Sequence, residues 1–182
     1  MAHIHTEPNQ HDHTVSIYIY RIDFAEPKVM LHLHSKIGKY AQFGGHIELN
    51  ETPWQAAIHE LKEETGYDIN QLQILQPPHR MTTISGATVH PQPVTHATVG
   101  YPDRDTHFHT DSAYVFVTSE TPHSSPEEGE STDIKLFIKL FTKAEVITSG
   151  KEQIDQFTYD IALHIFNEIL PSWKPVAPNE FR

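Results

Sequence analysis

Two early stretches, Val15 to Tyr20 and Lys28 to His34, carry the marks of β-strands. The first is β-branched and aromatic. The second places Leu31 and Leu33 on one face and Met30, His32 and His34 on the other, with both histidines read as surface strand residues. Lys36 to Phe43, with Gly38 inside and Gly44-Gly45 after it, reads as a turn, a short strand and a loop leading to a helix. There the period changes. Trp54, Ala57, Ile58 and Leu61 fall at i, i+3, i+4 and i+7, one apolar stripe that can pack on a sheet. The ends of this helix are marked by Thr52 as N-cap, Pro53 at the first position, Gln55 at the capping-box position and Gly66 past the last turn. The spacing therefore predicts a helix over 53–65.

Further along, Leu72 to Leu75 reads as a short strand, and Pro77 to Asp105, rich in proline and with little periodicity, as a long structured loop. Asp111 to Thr118 and Ile134 to Phe141 read as strands, separated by an acidic, serine-rich turn region from Pro122 to Asp133. Glu152 to Leu170 reads as a closing helix ended by Pro171. Helices packed on a mixed sheet are the architecture this order suggests. The expected division is a flexible His-rich tail over 1–13, one domain over 14–171 and an irregular tail over 172–182.

Composition narrows the function classes. Cysteine is absent, which removes disulfides, thiolate metal sites and cysteine nucleophiles, and a cytoplasmic location is the expectation. No apolar run approaches the roughly 20 residues that a membrane-spanning helix needs, so no membrane partner is expected. The formal net charge is −11, which opposes attraction to a nucleic-acid duplex. A small anionic substrate would need a local cation.

The predicted helix offers a place for one. Glu60, Glu63 and Glu64 stand at i, i+3 and i+4, so three carboxylates emerge within one turn and repel each other. A solvated acidic face is the plain alternative. A hard divalent ion bound through carboxylate oxygen would relieve the repulsion, and Mg²⁺ completes such a shell with water and substrate phosphate.

The surrounding residues carry a family resemblance. Gly45, five residues, Glu51, seven residues and then His59-Glu60-Leu61-Lys62-Glu63-Glu64-Thr65-Gly66-Tyr67 resembles the Nudix box, G-x5-E-x7-R-E-U-x-E-E-x-G-U with U aliphatic. Every fixed letter matches except the arginine, where His59 stands, and Tyr67 replaces an aliphatic residue. The resemblance implies an α/β fold of the Nudix type, an α/β/α sandwich with a mixed sheet between helices. It implies hydrolysis of a diphosphate bond in a nucleoside diphosphate derivative, by attack of water on phosphorus with Mg²⁺, or Mn²⁺ in its place. By the same resemblance Gly44, Glu60, Glu63 and Glu64 hold the metal and Glu63 or Glu64 acts as base. Gly45, Glu51 and His59 support the box, His59 taking the arginine's pairing with Glu51 only in part and best when protonated.

Lys36, Lys39 and Arg21 are candidate phosphate contacts. The histidines, 15 in all, include the pairs His32/His34 and His107/His109, and His34, His107 and His109 are candidate pocket residues. Homodimers are common among proteins of this pattern. Rival readings are a catalytically silent Nudix-like nucleotide-binding regulator, an isomerase of the same fold, which lacks its cysteine here, and a His-rich metal store.

Overall fold

The structure is a computed structural model that describes residues 10–100, 108–138 and 154–181. Its centre is a pair of long strands, β1 (His11–Arg21) and β6 (Phe108–Thr118), which run parallel in register from His11 beside Phe108 to Arg21 beside Thr118. All other pairings of named strands are antiparallel. β2 (Lys28–His34) lies on the far side of β1 and pairs with both β3 (Lys39–Ala41) and β7 (Ile134–Ile138). β4 (Gln73–Gln76) and β5 (Thr95–Gly100) share the outer edge of β6, and β8 (Lys174–Val176) extends β4.

Helix α1 (Pro53–Thr65) covers one face of this mixed sheet. Its stripe, Trp54, Ala57 and Leu61, packs with Val15, Ile17, Ile19, Tyr114 and Phe116. Helix α2 (Gln156–His164), capped by Asp155 and continued by a π-helical turn over Ile165–Ile169, covers the other face. There Ile161, Ile165 and Phe166 meet Tyr18, Tyr20, Leu31, Val115 and Val117. Alternate residues of β1 and β6 thus feed two separate cores, as the strand period of two requires.

The ends of α1 agree with the sequence. Thr52 Oγ1 accepts the Gln55 N–H at 3.3 Å and Gln55 Oε1 accepts the Thr52 N–H at 2.9 Å. Gly66 ends the helix at φ 72°, and a Cβ there would fall 2.0 Å from the Ser124 carbonyl oxygen, so only glycine fits.

Several expectations need correction. β1 starts at His11, so residues 11–13 belong to the sheet and not to a flexible tail. Its first turn is polar because a buried Asp12 alternates with exposed His11 and His13, a pattern that apolar periodicity does not register. Residues 172–181 are ordered by β8 and a 3-10 turn over Pro178–Glu180, and Phe181 is buried against Trp54. The loop from Pro77 contains β5, whose alternating Thr, His and Val positions are half exposed on a sheet edge. His32 is not a surface residue: it is 4 % exposed and its ring lies 4.9 Å from that of Phe43. Residues 139–141 of the last predicted strand and residues 1–9 lie outside the described residues.

Candidate active site

The segment after β3 is fixed before any of its side chains acts. Ile17 N–H donates to the Phe43 carbonyl at 2.8 Å, Val15 N–H to that of Gly45 at 2.9 Å and Ile47 N–H to that of His13 at 2.9 Å, so residues 43–47 lie along β1. Gly44 has φ 130°, and a Cβ there would fall 2.0 Å from the Val15 carbonyl oxygen. Glycine is required at that point by both strain and space.

From the helix side, Glu64 reaches this segment: the Gly44 N–H donates to its Oε2 at 2.6 Å. Glu60 and Glu64 are 3 % and 8 % exposed, an unusual state for carboxylates. Burial, then the charge of Glu63, pushes Glu60 up to about 7. Burial also pushes Glu64 up to about 8, opposed by the Gly44 hydrogen bond and helped by the charges of Glu60 and Glu130. Glu60 Oε1 is buried without a hydrogen-bond partner among the described residues. Two buried carboxylates, one of them with an open oxygen, form a set of hard oxygen donors that fits a divalent cation.

His59 engages two other glutamates of the box. Its Nε2 lies 2.7 Å from Glu63 Oε1 and its Nδ1 lies 3.2 Å from Glu51 Oε1. Burial lowers its pKa, but the hydrogen bond and charge of Glu63, with Glu51 and Glu60, outweigh that and raise it. Gly45 contributes its carbonyl to β1, and Tyr67 is fully buried with its hydroxyl donating to the Glu120 carbonyl at 2.7 Å.

The proposed phosphate contacts divide. His34, Lys36 and Lys39 gather at the β2–β3 hairpin, where the Lys36 N–H donates to His34 Nδ1 at 3.2 Å. Arg21 does not join them: at the opposite end of β1, its guanidinium donates to both oxygens of Asp23, at 2.9 and 2.7 Å. His107 lies outside the described residues, and His109 stands beside Asp12 and His46. Two neighbours were not read from the sequence. The Glu127 N–H donates to the Glu63 carbonyl at 2.8 Å, which docks the acidic loop on α1, and the charge of Glu130 acts on Glu60, Glu64 and His34. Their sequence signal was an acidic, serine-rich turn region from Pro122 to Asp133.

The family model of the NUDIX domain matches residues 11–161. The chain belongs to the Nudix family. A hydrolase of the NUDIX family from Clostridium perfringens superposes with a TM-score of 0.62 at 29 % identity, covering 85 % of this chain and 95 % of that one. A C. elegans Ap4A hydrolase binary complex superposes with a TM-score of 0.59 at 19 % identity, covering 88 % and 98 %, and shows the same fold. Among curated proteins, an 8-oxo-dGTP diphosphatase of Proteus vulgaris is 48 % identical over 44 residues, which span 24 % of this chain and 39 % of that protein. The Nudix box, Gly45 to Tyr67, thus stands in the fold that carries it, with the loop ahead of α1 held against β1 and the carboxylates gathered on one helical turn.

Proposed function

We propose that this Nudix chain is a pyrophosphohydrolase that uses Mg²⁺ to cleave the diphosphate bond of a nucleoside diphosphate derivative. The observation that carries the reading is the pair of buried carboxylates, Glu60 and Glu64, on a helix whose neighbouring loop supplies Gly44. Glu60, Glu63, Glu64 and the Gly44 carbonyl are the groups to hold the cation. When bound, the cation neutralises phosphate charge and acidifies the attacking water.

The protein's own groups do the remainder. The Gly44 N–H bond fixes the orientation of Glu64, which accepts the proton of the attacking water, with Glu63 as the second candidate base. Water oxygen bonds to phosphorus as the bridging P–O bond breaks, and the second phosphate leaves. His59 holds Glu63 and Glu51 in place and so positions the carboxylate turn. Lys36, Lys39 and His34 are the side chains proposed to face substrate phosphate from the hairpin. Base, sugar and linked group are set by the segments around the site. Homodimer formation is proposed on the habit of the fold alone.

Turnover of a panel of nucleoside triphosphates, nucleotide sugars and dinucleoside polyphosphates with Mg²⁺ tests the reading. Glu60→Gln and Glu64→Gln should each lower kcat by about 10²-fold or more with the circular-dichroism spectrum unchanged, since each removes charge from the cation site. Undiminished turnover in both variants would overturn the site.

A further inference from the structure

A second group of ligating side chains lies on the sheet face away from α1. Thr14, Ser16, Tyr18 and Tyr20 of β1 alternate with the residues that pack under α1, and Tyr18 and Tyr20 pack under α2. Asp12 shares their parity. His109 is its direct neighbour on β6, and a bridge between Thr14 and His46 brings the residue after Gly44-Gly45 alongside. One donor atom from each of Asp12, His46 and His109 lies within 4.8 Å of the other two.

We propose that Asp12, His46 and His109 form a second divalent-cation site, of the kind that takes Zn²⁺ and similar borderline ions. Asp12 Oδ2 and His46 Nε2 are 3.5 Å apart, long for a hydrogen bond. Two ligands on one tetrahedral ion with bonds of about 2.0–2.1 Å are separated by about 3.3 Å, which is close to that spacing. The Asp12 side chain is 1 % exposed and that of His46 12 %, so the carboxylate and its neighbour sit largely out of water, where an ionic partner counts most. The rings of His46 and His109 meet edge to face, with centroids 5.0 Å apart and planes at 84°, so their nitrogens can converge without ring overlap.

Three backbone connections set this geometry independently of any metal. They are the Asp12–His109 register, the Ile47 N–H bond to the His13 carbonyl and the Val15 N–H bond to the Gly45 carbonyl. The donor set also differs from that of α1. Two imidazoles and one carboxylate suit Zn²⁺, whereas the all-oxygen set of Glu60 and Glu64 suits Mg²⁺. Three protein ligands leave a position for water or another oxygen ligand. His46 follows Gly44 by two residues, so their Cα atoms are at most about 8 Å apart. None of the α1 carboxylates takes part in this second site.

The test uses the full chain, stripped of metal, with His3→Ala, His5→Ala, His11→Ala and His13→Ala as the background so that the other histidines of the first strand and the residues before it do not bind in its place. Titration with Zn²⁺, and with Co²⁺ as a spectroscopic probe, should show one tight equivalent with visible cobalt bands. His46→Gln and His109→Gln should each weaken it at least 10-fold, and Asp12→Asn should do the same. The Glu60→Gln/Glu64→Gln double variant should retain it, which separates this site from the one on α1. Equal Zn²⁺ affinity in the parent and both histidine variants would overturn the proposal. Should those variants not fold, the cobalt-loaded parent decides: paramagnetically shifted signals from two histidine rings are expected, and their absence would overturn it equally.

Discussion

At the scale of single residues, His59 and His32 show how one side-chain type takes opposite roles. His59 lies within reach of Glu63 and Glu51 through different ring nitrogens, and only the protonated ring donates from both. A neutral ring has one N–H and must abandon one carboxylate. Its raised pKa means that this pairing contributes stability fully below the unfolded value near 6.5 and loses it as pH rises through the higher folded value. His59→Arg, which donates to both carboxylates at any pH, should therefore retain kcat/KM further into the alkaline range than the parent. Superimposable pH profiles would show that the ring's protonation does not matter to the site. His32 is the reverse case. Burial, then the neighbouring His34, pushes it down to about 4. Between that value and 6.5 the unfolded chain binds the proton and the folded one does not, so stability is lost as pH falls through this window. A shift of this size amounts to about 3 kcal/mol by pH 4, from roughly 1.4 kcal/mol for each pH unit. His32→Phe should move the acid midpoint of unfolding downward, provided the ring still packs on Phe43, and an unmoved midpoint would assign the acid transition to other groups.

At the scale of elements, the helix that carries the carboxylates is held by features of different worth. The Thr52–Gln55 capping box is worth about 1 kcal/mol, from the usual cost of removing a side-chain cap. Trp54 contributes more. It is 2 % exposed and meets Tyr114, Phe116 and Phe181 with ring centroids 5.8–6.1 Å apart. Trp54→Ala should cost about 3–5 kcal/mol in denaturant unfolding, as large-to-small changes in aromatic cores do. Removal of residues 178–182 takes Phe181 off the same cluster and should destabilise by less than that; an equal midpoint would mean that the terminal turn does not protect α1. These elements also explain what the sequence disclosed. The helix from Pro53 to Thr65 was legible because its caps and its stripe are both local signals. So were Glu60, Glu63 and Glu64, whose spacing lies within one turn. The start of β1 was not, because Asp12 is buried through pairing with a strand nearly one hundred positions away. The same holds for Phe181, whose partner Trp54 is still more remote, and for Glu127 and Glu130, which approach α1 through a loop with no periodicity. Arg21 was misplaced for a related reason: neither the end of the sheet at which a cation stands nor the carboxylate that engages it, here Asp23, follows from its charge alone.

For the molecule as a whole, the two sheet faces carry different electrostatic problems, and a cation held as proposed on the α1 face would couple folding to its binding. In the metal-free protein Glu60 and Glu64 titrate near 7 and near 8, above the usual carboxylate value of 4.5. The folded state then binds more protons than the unfolded state between 4.5 and those values, so metal-free stability falls as pH rises across that interval. A cation reverses the balance because it stabilises the charged form that burial opposes. At pH 6 it must displace protons from both carboxylates, whereas above pH 8 it meets two charges already present. The increase in thermal midpoint produced by a fixed Mg²⁺ concentration should accordingly be larger at pH 8.5 than at pH 6, with chelator returning both to the metal-free values. In Glu60→Gln the difference between the two pH values should shrink, since one of the two buried charges is gone. A midpoint shift that is the same at both pH values in the parent would mean that the cation binds elsewhere than between these carboxylates. A shift that persists unchanged in the Glu60→Gln/Glu64→Gln double variant would place its binding off α1 altogether.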